Sequence, residues 1–122
     1  MEKRLVVSFS DGEDILEGLK DAAKEHDVDF ASFHSADGCL KNFQLISDSY
    51  ADLSEVPEDY LIDKISGRVL KGKDGHNVKV HFTLVKKAAG KTLPVSGELR
   101  KGLASGDVTL ILTLSDMKNI IH

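Results

Sequence analysis

Between two runs of strand-forming residues, 28–36 and 39–46, the chain carries Asp37-Gly38, and that pair leaves little choice of fold. Asp-Gly readily takes the positive backbone angles of a tight turn, and apolar residues on both sides are what paired strands bury. The expectation is an antiparallel hairpin. One amphipathic helix precedes it. Ile15, Leu16, Leu19, Ala22 and Ala23 fall on a single stripe, while Asp14, Glu17, Lys20, Asp21 and Lys24 face water. Ser10 and Glu13 have the spacing of a capping box at the start of this helix, which should end near His26-Asp27.

The remainder reads as strands. Residues 5–9 form the first, and 60–71 resume the pattern after a polar surface loop at 47–59. Lys73-Asp74-Gly75 makes the next turn, and Gly67 marks a bulge or bend. Over 77–87, Val78, Val80, Phe82 and Leu84 take one face and Lys79, His81 and Thr83 the other. Strands at 92–99 and 108–114 complete a count of about seven. The last is apolar on one face through Val108, Leu110, Leu112 and Leu114, and its other face, Thr109, Ile111 and Thr113, calls for a second layer or another subunit. The fold class is α+β: one principal helix on a mainly antiparallel sheet, in a single domain over residues 1–122.

Composition excludes several functions. Net charge is −4, and a duplex-binding surface needs an excess of Lys and Arg, so direct DNA binding is not expected. Lys86, Lys87, Lys91, Arg100 and Lys101 lie in one sequence region and read as a solvated hairpin end, with a local basic patch as the alternative. Cys39 is the single cysteine, so no internal disulfide forms; a buried thiol in a reducing compartment fits. Met1-Glu2-Lys3-Arg4 runs straight into a strand and no apolar run approaches membrane-spanning length, so a cytoplasmic protein is expected. Neither phosphate-loop motif occurs.

Three segments then carry a resemblance. Gly12-Glu13-Asp14 enters the helix, Ser35-Ala36-Asp37-Gly38-Cys39-Leu40-Lys41-Asn42 follows, and Gly67-Arg68-Val69-Leu70 comes later. In this order and spacing they resemble the plants-and-prokaryotes conserved (PPC) domain in its stand-alone prokaryotic form, from Arg4 to about Leu114. The resemblance implies a homotrimer assembled through its sheets. It also implies a metal site between subunits, built from a His-x-His pair and a Gly-Gly-His segment. Here His81 matches the second histidine and Lys79 stands at the first, while Ser96-Gly97-Glu98-Leu99 carries Glu98 in place of the later histidine.

The candidate site residues follow from chemistry. His81 and Glu98, with His34 as a third contact, offer imidazole and carboxylate to zinc or another divalent metal; the competing reading is a cross-strand polar pair. His34 itself reads equally as a structural histidine. Arg68 can orient a carboxylate or phosphate bidentately, or pair with an acid of the same or another subunit. His26, His76 and His122 are expected to be exposed at element ends. The functional expectation is a non-catalytic trimeric module with a protein or small-molecule partner. The alternative is a metal-dependent hydrolase with its site at the subunit interface.

Overall fold

The computed structural model describes residues 3–47, 53–56, 59–86 and 94–115. Strand β1 (Lys3–Phe9) buries Val7 and Phe9 and turns Arg4, Val6 and Ser8 outward. Helix α1 (Ile15–Glu25) follows, with Ile15, Leu19 and Ala23 buried along the expected stripe. Then come β2 (Phe30–Ser47), β3 (Leu53–Val56), β4 (Tyr60–Gly72), β5 (Gly75–Lys86) and β6 (Val95–Ser115). Five long strands and the four-residue β3 make one sheet in the order β1-β6-β5-β4-β2-β3. A further pairing of β6 with β2 closes it, so β2, β4, β5 and β6 form a barrel-like ring in which every pairing is antiparallel. Among the described residues no helix is long and apolar enough to cross a membrane.

Closure depends on bending the two longest strands. The β2–β6 ladder shifts register at Phe33/Ser35, Asp37/Cys39, Lys41/Gln44 and Gln44/Leu45. Each extra residue kinks its strand and increases the local twist, which is how a flat ribbon wraps onto itself. Inside lie Phe43, Phe82, Ile15, Leu40, Leu45, Leu84 and Leu110, all fully buried, and the Phe43 ring meets Tyr60 edge-on at 5.1 Å between centroids. Full burial of such side chains contributes about 1.5–3 kcal/mol each.

Several expectations are corrected by this architecture. Asp37-Gly38 is not a hairpin turn; it is a bulge inside the continuous 18-residue β2. Gly38 does have positive φ (+131°), and a Cβ there would sit 2.8 Å from the Asp107 carbonyl oxygen. The glycine therefore serves close approach to β6 instead of chain reversal. The strands expected at 92–99 and 108–114 are not separate: residues 95–99 and 108–114 belong to one strand, since β6 runs unbroken over 21 residues, while 92–93 lie outside the described residues. Among the described residues the count is thus six strands, not seven. The polar loop expected at 47–59 holds β3, while 48–52 and 57–58 lie outside the described residues.

At the helix start, Glu13 accepts from the Ser10 backbone N–H at 2.6 Å, half of the expected capping box. The N-cap is Asp14, whose carboxylate accepts from the Glu17 N–H at 3.0 Å. Two backbone bonds, Gly12 N–H to the Ala104 carbonyl (2.8 Å) and Ala104 N–H to the Glu13 carbonyl (2.9 Å), fasten this entry to β6. Asp11 joins in, accepting from the Gly106 N–H at 2.8 Å and from Lys41 Nζ at 2.9 Å. Those two donors, the backbone N–H foremost, hold the Asp11 carboxyl below its ordinary range. At the other end of the helix Asp27 pairs with Lys71 at 2.5 Å, which lowers the pKa of the acid and raises that of the amine. His76 is half-buried, not exposed as expected, because its Nε2 donates to the Val28 carbonyl at 2.8 Å.

Candidate functional site

The β4–β5 hairpin carries most of the candidate chemistry. Its two-residue turn, Lys73-Asp74, sets Gly72 opposite Gly75 and fixes the ladder outward from there. Val69, Val80, Phe82 and Leu84 point to the core, so the alternate residues form the outer face. On that face Leu70 stands opposite Asn77, Arg68 opposite Lys79, and Ser66 opposite His81. Between the Arg68 and Ser66 rows, Gly67 (φ +120°) faces Val80, and a Cβ at Gly67 would collide with the Lys79 carbonyl oxygen. Glycine is needed for the two strands to lie this close.

Arg68, Leu70, Asn77 and Lys79 line an open concavity of about 80 Å³. Arg68 and Lys79 are both exposed, and among the described residues neither forms an ion pair. Like charges directly across a ladder repel, so the pair costs stability unless something negative lies between them. On its other edge Arg68 faces Ser32 of β2, Ser32 faces Thr113 of β6, and Thr113 faces Arg4 of β1. The row from Arg4 to Lys79 thus holds three cations, two hydroxyls and no acid.

The expected metal set is only partly assembled. His81 and Glu98 are direct cross-strand partners, both half-buried, next to Thr83 and Ser96, whose hydroxyls lie 2.9 Å apart. His34 is exposed at the bulge between Phe33 and Ser35 and joins no such cluster. Among the described residues no three His, Cys, Asp or Glu side chains group so as to hold a metal ion. Among the described residues of one chain the donors brought together are two, with Lys79 on the same face two residues from His81, too few to hold a divalent cation by themselves. The Cys39 thiol is free and buried, as expected. Lys79 and Asn77 were not marked as binding residues by the sequence reading. Counting outward from the turn at 73–74 is the signal that would have set Lys79 and Asn77 beside Arg68.

The family model of the Plants and Prokaryotes Conserved (PCC) domain matches residues 1–115. The chain belongs to that family. No match is found among curated proteins. Solved structures with this PPC fold include a plant- and prokaryote-conserved protein from Pyrococcus horikoshii, 18% identical, with a TM-score of 0.73 over 95% of this chain and 83% of that one. A metal-containing protein from Archaeoglobus fulgidus is 19% identical, with a TM-score of 0.73 over 93% of this chain and 80% of its own. A protein from Bacteroides thetaiotaomicron, named as a proposed DNA-binding protein, is 16% identical, with a TM-score of 0.77 over 95% and 84%. At these identities the likeness concerns the fold. Lys79, which stands at the first position of the His-x-His pair that the resemblance implied, lines the concavity just described.

Proposed function

We propose that this PPC-family chain is a non-catalytic binding module that works in the cytoplasm as a homotrimer joined through its sheet faces. The observation carrying the proposal is the outer surface of the β1–β6 ladder. There Val6, 58% exposed, stands opposite the half-buried Ile111, flanked by the Ser8–Thr109 and Arg4–Thr113 pairs. An isoleucine–valine pair held outward between hydroxyl side chains suits contact with another copy better than contact with water. Supporting a non-catalytic role, the one thiol is buried and His81 stands between Glu98 and Ser66, with Lys79 two residues along its own strand. The DNA-binding role proposed for the Bacteroides protein is not carried over to a chain of net charge −4.

Light scattering in line with elemental analysis tests this reading. The expected result is a particle of three 13.3 kDa chains without stoichiometric metal. A monomer would overturn the assembly. The competing metal-dependent hydrolase has the His81–Glu98 pairing in its favour. About one metal per chain, lost in His81→Ala, would replace the module reading with that one.

A further inference from the structure

We propose that the concavity between β4 and β5 is an oxyanion site that takes the phosphate group of a small molecule. The inference deepens the binding-module reading, on which it rests, by naming the chemistry of the ligand. All the residues that line it belong to one chain, so phosphate binding and assembled mass are read out separately.

Arg68 and Lys79 are held side by side by the ladder, on the outside of the sheet, with no carboxylate among the described residues paired to either. Neighbouring strands lie about 4.8 Å apart, so the two cations share one anion-sized gap. A guanidinium offers a planar fork of N–H donors and an ammonium a compact charge, the combination that suits a phosphate bearing close to two negative charges. A neutral donor completes the set: the Asn77 amide lines the same concavity. A volume of about 80 Å³ accommodates one phosphate group and leaves the rest of the ligand outside. Gly67 keeps the backbone beneath the site flat and close, because any side chain there would strike the Lys79 carbonyl. The same lysine charge that repels a divalent cation favours an anion. Glu98, two rows along and opposite His81, lies outside the lining.

The test is a titration of the ¹⁵N-labelled full chain with inorganic phosphate and with ribose 5-phosphate, against chloride at matched ionic strength. Saturable shifts of the Arg68, Leu70, Asn77 and Lys79 amides are expected with both phosphates and not with chloride. Arg68→Gln and Lys79→Gln should each weaken binding by about tenfold or more, as loss of a charge-assisted hydrogen bond does. Lys20→Gln, on the exposed face of α1, should change nothing. Both site positions are exposed and face each other as like charges, so neither variant should melt below the parent without phosphate, and relief of the repulsion should raise the melting temperature slightly. Shifts equal in chloride, or affinity unchanged in both variants, would overturn the site. A DNA duplex displacing phosphate at low salt would overturn the small-molecule source. Loss of assembled mass in Arg68→Gln, with no phosphate binding by the parent, would give the gap to an acid of a neighbouring subunit and also overturn the proposal.

Discussion

Asp11 shows how much an exposed side chain can organise. Its carboxylate is shared between the Gly106 N–H and Lys41 Nζ, so one residue joins the helix entry, the second strand and a bend in the last. Its folded pKa lies below the unfolded value of about 3.9, so it contributes stability above that pH. The contribution is lost as pH falls through the lower folded value. Asp11→Asn should therefore lower the melting temperature at pH 7, and the gap from the parent should close below about pH 4; a gap independent of pH would assign the effect to something other than charge. Gly38 is the opposite case, a residue that acts by lacking a side chain. With φ at +131° and the Asp107 carbonyl 2.8 Å from where a Cβ would stand, Gly38→Ala should destabilise by about 1–3 kcal/mol in urea unfolding.

At the scale of elements, the start of α1 puts the N-cap at Asp14 and not at Ser10 of the expected capping box. Asp14 holds the Glu17 N–H, so Asp14→Ala should cost about 1 kcal/mol. Ser10 contributes its backbone N–H to Glu13, and Ser10→Ala should stay within about 0.5 kcal/mol. Equal losses in the two variants would return the cap to Ser10. The same contrast explains what was legible in the chain. Periodicity located α1, because Ile15, Leu19 and Ala23 repeat at helical spacing whatever the cap. Alternation located β5, and the two-residue turn at Lys73-Asp74 sets Arg68 against Lys79 by counting. Asp37-Gly38 misled because a positive φ suits a bulge as well as a hairpin, and only the partner strand decides between them. The unbroken β6 was hidden for a like reason: Gly102 and Gly106 look like turn residues until β2 runs alongside them. His34, expected as a third metal contact or a structural histidine, is instead exposed at the Phe33/Ser35 bulge, an irregularity that strand alternation does not announce.

Across the whole molecule, closure of β2, β4, β5 and β6 into a ring leaves β1 and β3 as the strands with one partner each. An open strand edge invites pairing with another chain, and Lys3 and Arg4 place charge at the start of the β1 edge. Val6 breaks that protection, standing 58% exposed opposite Ile111. If this surface joins the subunits, a buried aspartate there would carry an unpaired charge into the interface, whereas in an isolated chain the same position is open to water. Val6→Asp should then shift the light-scattering mass from trimer toward monomer while the sheet signal in circular dichroism is retained. The folded monomer should lie within about 0.5 kcal/mol of the stability of a parent monomer obtained by dilution. Phosphate binding at Arg68 and Lys79 should survive the change, since every residue of that site lies in one chain. An unaltered trimer in Val6→Asp would move the subunit contact to another face and leave the exposed valine as an ordinary surface residue.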